Sequence, residues 1–178
     1  SVGQIPIFYN NKPAGMKSNW YVNYVAESVK PLFPFGHGLS YSKFQYADFS
    51  ISKSQAGVDD TIIISCTVEN ISSVAGEEVI QCYTCDEYAS IPRPVKELKG
   101  FYRIHLNAGE SRRIRFLLPV NILAFYDENM DLIIEPGRIF VMIGSSSEDI
   151  RLQGEFEIIG ERKMIVSDRI FTCPIEIE

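Results

Sequence analysis

At 178 residues, 46% of them hydrophobic, the chain can bury the core of one domain and still carry an appendage. Seventeen basic residues against 23 acidic ones leave a net charge of −6. No cluster of Lys and Arg stands ready to displace counterions from phosphates, so nucleic acid is not an expected partner. No apolar stretch reaches the roughly 18–20 residues of a membrane helix, so a membrane is not one either.

The chain opens without an initiator Met or a basic-then-apolar leader, and Val2 to Ile7 reads as a strand already under way. An excised fragment is therefore expected. The first 40 residues scatter Phe8, Tyr9, Trp20, Tyr21, Tyr24, Phe33 and Phe35 among Asn, Lys and Pro with no steady hydrophobic period. Such a segment makes an irregular extension, and its rings need a surface outside it for cover. The run Pro34-Phe35-Gly36-His37-Gly38-Leu39-Ser40-Tyr41 ends it. One Pro and two Gly within five residues fix a bent backbone there.

From residue 46 to about 160 the pattern becomes short strands divided by turn chemistry. Thr61 to Val68 puts Ile62, Ile64, Cys66 and Val68 on one face. Glu69 to Gly76 reads as a turn and Glu78 to Thr84 as the next strand. Pro92 and Pro94 mark an irregular connection, since neither can donate to a ladder. Lys99 to Leu106 follows, with Tyr102, Ile104 and Leu106 on one side. Strands are also expected over Arg112 to Leu118, Arg138 to Gly144 and Gln153 to Ile159, with one helical turn at Asn121 to Phe125. About seven strands at spacings near ten residues predict an all-β, immunoglobulin-like antiparallel β-sandwich. Met164-Ile165-Val166 and Ile175-Glu176-Ile177 are candidate tail strands for a sheet edge.

Cys66, Cys82, Cys85 and Cys173 are too few for a disulfide framework. Cys82 and Cys85 form a C-x-x-C, but residues three apart in a strand face opposite ways and cannot clasp one metal. The only histidines are His37 and His105; His105 alternates with Ile104 and Leu106 and belongs to the outer face. The cysteines read as packing thiols of a reducing compartment, so a cytoplasmic location is expected.

Four blocks resemble, in order and spacing, the β-glucosidase type of family 3 glycoside hydrolases. Pro34 to Tyr41 is similar to their P-F-G-x-G-L-S-Y junction, and Gly76 to Tyr83 to G-x-E-V-x-Q-L-Y, with Cys82 standing where Leu is usual. Arg93 to Phe101 is similar to R-P-x-K-E-L-K-G-F, followed by Ala108-Gly109-Glu110. Phe125-Tyr126-Asp127 leads through Glu135-Pro136-Gly137 to Gly144–Ser147 and Asp149-Ile150. Gly3 to Ile7, with Asn19-Trp20-Tyr21, resembles the last strand and exit segment of the α/β-sandwich domain in those enzymes. The resemblance implies three parts. Residues 1–40 end the α/β-sandwich domain, 41–160 form a fibronectin type III-like β-sandwich, and 161–178 are a tail that adds a strand.

Paired carboxylates do the chemistry of glycoside hydrolysis. Asp127, Glu128 and Asp131 lie close together, but a hairpin turn is where solvated acids are ordinary. The resemblance places the nucleophile on an N-terminal barrel, and the acid/base there or on the α/β domain, outside this chain. No catalytic, cofactor-binding or metal residue is assigned, and no cofactor is expected. Arg93 and Glu97 read as an ion pair pinning the Pro-rich connection. Gly100 and Gly109 read as residues of special backbone geometry. Asn70 opens an Asn-Ile-Ser sequon but suits a strand-end turn for backbone reasons.

The expected function is that of a non-catalytic C-terminal domain, giving stability and docking to a β-glucosidase-like enzyme. That enzyme would cleave terminal non-reducing β-glycosidic bonds of oligosaccharides with retention. Its partners are the barrel and α/β domains of the same chain. Two alternatives stand beside this reading. One is a carbohydrate-binding module, for which the single tryptophan, Trp20, lies outside the sandwich. The other is an interaction sandwich mediating homo-oligomers.

Overall fold

The computed structural model describes residues 8–11, 30–165 and 170–178. Two sheets packed face to face make its body. In chain order the strands are β1 (Phe44–Ile51), β2 (Gln55–Ala56), β3 (Thr61–Asn70), β4 (Gly76–Asp86), β5 (Glu97–Leu106) and β6 (Ser111–Pro119). A 3-10 turn at Val120–Leu123 precedes β7 (Phe125–Tyr126), β8 (Leu132–Ile134), β9 (Gly137–Gly144), β10 (Ile150–Ile158), β11 (Lys163–Met164) and β12 (Ile175–Ile177). The first sheet runs β1-β3-β6-β12, the second β2-β10-β9-β4-β5, and a small third one β11-β8-β7. All pairings are antiparallel except the two-residue β2 against β10.

The alternation of β3 works as its sequence predicts: Ile62, Ile64, Cys66 and Val68 are all fully buried. They meet Ile114, Phe116 and Leu118 of β6 on the same sheet, and across the gap Ile80 and Cys82 of β4 and Ile139, Val141 and Ile143 of β9. Burial of each such side chain contributes roughly 1.5–3 kcal/mol. On β5, Ile104 and Leu106 enter the core, but Tyr102 stays exposed. Tyr102 keeps the expected common side, opposite the buried Ile80, and is exposed because β5 is the edge of its sheet.

A bulge explains the next departure. Cys82 pairs with Gly100 but Tyr83 pairs with Leu98, so Lys99 is an extra residue on β5. The bulge re-aims its side chain inward. Lys99 is 5% exposed, and its ammonium donates to the Ile122 carbonyl at 3.3 Å and lies 3.5 Å from Glu97.

The tail is part of the sandwich. Ile175, Glu176 and Ile177 pair with Phe116, Arg115 and Ile114. Just before them the Cys173 N–H donates to the Lys99 carbonyl at 2.8 Å. The other candidate tail strand forms as β11, whose Met164 pairs with Ile133 of β8; Val166 lies outside the described residues, as do Val2 to Ile7 and Trp20.

Asn70 closes the turn after β3 with its whole carboxamide. Its Nδ2 donates to the carbonyls of Val74 at 2.8 Å and Leu106 at 3.0 Å, and its Oδ1 accepts the Ser72 N–H at 3.0 Å. Fully buried and so engaged, it offers no amide to a glycan. Gly109, at φ 73°, needs glycine for its backbone, as expected.

Gly100 needs glycine for a different reason than the one expected. A Cβ there would come within 2.5 Å of the Cys173 sulfur and 3.1 Å of Phe116. Gly100→Ala is expected to cost about 1–3 kcal/mol through overpacking. Cys173→Ala in the same chain restores part of that loss, so a double-mutant cycle by chemical denaturation gives a favourable coupling between the two substitutions. Additive effects refute the clash.

Candidate functional site

The outer face of the second sheet carries most of what the motifs supply. On β4, Ile80 and Cys82 turn inward, so Gln81 and Tyr83 turn outward. Both are nevertheless buried, at 3% and 0% exposure, because the segment before β1 lies over them. Gln81 Nε2 donates to the Gly36 carbonyl at 3.1 Å and the Ser145 carbonyl at 2.5 Å, while its Oε1 accepts the Tyr83 hydroxyl at 2.5 Å. Burial raises the Tyr83 hydroxyl above its ordinary range, with the Tyr9 hydroxyl nearby adding to the shift.

Tyr9 stacks on Phe35 with ring centroids 4.2 Å apart and meets Tyr83 edge-on at 6.0 Å. Backbone bonds finish the seam. Ser147 N–H donates to the Phe35 carbonyl at 2.9 Å, and Val95 N–H to that of Asn10 at 3.1 Å. The Pro34-to-Tyr41 run is thus a tight turn fastened to the sheet, with His37 N–H closing onto the Pro34 carbonyl at 3.0 Å. Gly36 sits at φ 79°, and any Cβ on it would collide with the Gln81 carboxamide.

Between this turn and β4–β5 opens a cleft of about 940 Å³ whose walls include Leu39, Glu77, Phe101 and Arg103. Asp149 and Arg151 also line it. The carboxylates there are already engaged. Glu77 pairs with Arg103. Asp149 accepts Arg151 at 2.8 Å and the Ser145 hydroxyl at 2.6 Å, which hold it below its usual range. Burial raises Glu78, against the pull of Arg151 and of the Tyr46 hydroxyl that donates to it at 3.3 Å. Arg151 lies over the Tyr46 ring at 4.6 Å.

The acids singled out from the sequence fall elsewhere. Asp127 is not a solvated turn acid: it is 5% exposed. Burial would raise its carboxyl, but the N–H groups of Asp131 and Asn129, both 2.9 Å from Oδ1, and the Arg162 guanidinium outweigh burial and lower it. Its carboxylate therefore caps the β7–β8 turn, while Glu128 stays exposed. Arg162 lies 35 residues downstream, and no local signal in the sequence announces it.

Arg93 and Glu97 do meet, at 2.9 Å, and the pair is mostly buried rather than exposed. Arg93 also covers the Phe125 ring at 4.5 Å. Nearby Asp86 is raised by burial, with Arg93 pulling the other way. His37 packs its ring 5.3 Å from Phe33, and His105 lies exposed opposite Glu77. Cys66, Cys82 and Cys173 are buried thiols, and burial pushes Cys66 up to about 12 and Cys173 up to about 11. Among the described residues no cluster of His, Cys, Asp or Glu could hold a metal ion.

Fold and seam together define a fibronectin type III-like β-sandwich, and residues 78–147 match the fibronectin type III-like domain family. The chain is 42% identical over 134 residues to thermostable β-glucosidase B of Acetivibrio thermocellus, covering 75% of this chain and 18% of that protein. A β-xylosidase of Formosa agariphila is 37% identical over 147 residues, 83% of this chain and 20% of its own length. The crystal structure of a Listeria innocua β-glucosidase in complex with glucose superposes with a TM-score of 0.79 at 37% identity, over 89% of this chain and 23% of that one. The chain belongs with the fibronectin type III-like domains of family 3 glycoside hydrolases, and it spans about a fifth of the length of the curated relatives it matches.

Two substitutions probe this region. A carboxyl raised in the fold is at its most stabilising below the unfolded value near 4.5, and stability declines as the pH climbs through the raised value. Glu78→Gln removes that decline, so its melting temperature relative to the wild type should rise between pH 4 and pH 7; a flat difference contradicts the burial argument. Arg93→Ala leaves Glu97 with Lys99 as its remaining cation, removes the cover on the Phe125 ring, and should cost about 1–3 kcal/mol in denaturant unfolding.

Proposed function

We propose that this chain is the non-catalytic C-terminal part of a family 3 glycoside hydrolase, and that it stabilises and docks the catalytic domains preceding it. In this reading residues 1–40 finish an α/β-sandwich domain, 41–160 form the accessory sandwich and 161–178 the tail strap. The parent enzyme cleaves terminal non-reducing β-D-glycosidic bonds of oligosaccharides with retention. The named activities of the relatives support that substrate class, and the chain's share of their length supports further domains in the same polypeptide. The buried thiols of Cys66, Cys82 and Cys173 support a reducing, cytoplasmic setting.

One observation carries the docking role. The turn fastened by Gln81 holds Leu39 and Tyr41 fully in solvent, at 92% and 103% exposure, and Leu32 and Phe33 just before it are exposed as well. A tight, well-bonded turn that presents large apolar side chains to water is a surface built to be covered. A preceding domain of the same chain is the occupant that chain connectivity delivers there.

The test compares this chain with the same chain extended by its preceding domains, on nitrophenyl β-glucosides and β-xylosides. Turnover is expected only from the extended protein. In that protein Leu39→Ser with Tyr41→Ser should lower the melting temperature by several degrees and leave KM unchanged. Turnover by the 178-residue chain alone overturns the non-catalytic reading, and an unchanged melting temperature overturns docking through this surface.

A further inference from the structure

We propose that Gln81 is the positioning residue that fixes the direction in which the polypeptide enters the β-sandwich, acting as a latch between the β9–β10 loop and the Pro34-to-Tyr41 turn. A single carboxamide ties together three chain segments far apart in sequence. Its two N–H groups take the carbonyls of Gly36 and Ser145, and its oxygen takes the Tyr83 hydroxyl. Both donor positions and one acceptor position are used, in the one orientation that satisfies all three partners.

The other bonds of the seam, such as Val95 N–H to the Asn10 carbonyl, Leu98 N–H to the Tyr9 hydroxyl and Lys96 to the Ser147 carbonyl, each join two segments, whereas the Gln81 carboxamide joins three. The Tyr9–Phe35 stack and the Ser147 N–H bond to the Phe35 carbonyl lie on the same side of the turn and follow it. Gly36 shows that the fit is built from both sides, because the carboxamide fills the space where a Cβ would stand. Release of the carboxamide would leave the Gly36 and Ser145 carbonyls without their shared donor, which a buried seam tolerates poorly.

The latch also accounts for the pairing of two motifs read separately in the sequence. The Gln and Tyr of the strand block and the first glycine of the junction block are parts of one lock. The consequence for a larger enzyme rests on the docking role proposed above; the latch itself does not.

The test is hydrogen exchange at the Ser147 amide in the 178-residue chain. Its N–H donates to the Phe35 carbonyl at 2.9 Å, so exchange requires that bond to open. Gln81→Leu should speed its exchange about tenfold to a hundredfold, the range set by leaving one or two buried carbonyls unpaired. Gly36→Ala attacks the lock from the other side and should do the same. Amides in β3 and β6 report whether the sandwich itself stays folded in each variant.

Gln81→Glu gives a readout that a general loosening would not. A carboxylate facing two carbonyls is repelled, whereas a carboxylic acid can still donate to one of them. Exchange relative to the wild type should therefore be about tenfold faster near pH 5, where one carbonyl lacks its donor, and approach about a hundredfold near pH 8, where both do. Around this position stand Tyr83 on β4, Arg103 on β5, Tyr9 and His37 on the junction side, Lys96 on the β4–β5 connection and Asp149 on the β9–β10 loop. All are present in the wild type, so their titration cancels in the ratio.

Unchanged Ser147 exchange in Gln81→Leu and Gly36→Ala, with the sandwich intact, overturns the latch and leaves the docking role standing. A pH-independent ratio for Gln81→Glu overturns it too. An extended enzyme indifferent to Leu39 and Tyr41 would sink docking and leave the latch.

Discussion

On β4 the side chains of Ile80 and Cys82 enter the core while Gln81 and Tyr83 face the opposite way, and over Ile80–Thr84 neither face of the strand is given to water. An antiparallel sheet ordinarily keeps one side wet. Here the pleat commits both sides, and that double commitment organises the rest. Inward, β4 presses on β3 and β6 through their apolar faces. Outward, it needs a cover that can answer a buried amide and a buried phenol, and only a segment rich in free carbonyls and rings can do so. The irregular stretch before β1 has that composition.

The same reasoning explains why charged residues in this domain are bound into structure. Arg151 ties Asp149 to the Tyr46 ring and the Phe44 carbonyl, Arg93 bridges Glu97 and Phe125, and Arg162 closes on Asp127. Arg93 and Arg151 each span a loop and a strand and Arg162 joins two loops, the planar fork satisfying its acceptors in each case. Carboxylates arranged in this way are committed acceptors, a poor starting point for glycosidic chemistry, which asks one carboxyl to give a proton and another to attack. An accessory domain fits that distribution of charge.

Much of the architecture is legible in the sequence because it rests on short-range rules. Alternation marks β3, β6 and β9, and Gly or Pro marks the turns between them. The family resemblance rests on local blocks, and the comparisons agree with it. What the sequence hides are the partnerships across long separations. Nothing near Asp127 points to Arg162, and its turn context suggests a wet acid instead. Gly100 looks like a backbone residue until Cys173 is found against it, 73 residues later. The two-residue β2 carries no period at all, since it exists only through its pairing with Glu157 and Ile158. Gln81 reads as one polar position in an alternating strand; its value comes from carbonyls 45 and 64 residues away.

The tail completes the first sheet from the far end of the chain. β12 covers the otherwise open flank of β6, and Cys173 hooks the neighbouring edge of β5 through Lys99. A strand flank left bare invites pairing with another polypeptide. During synthesis, β6 emerges from the ribosome more than fifty residues ahead of the strand that shields it, at roughly 5–20 residues per second. The nascent sandwich therefore passes through an interval of a few seconds with that flank exposed. Its tendency to aggregate is governed by the timing of its own last strand as much as by the strength of its core.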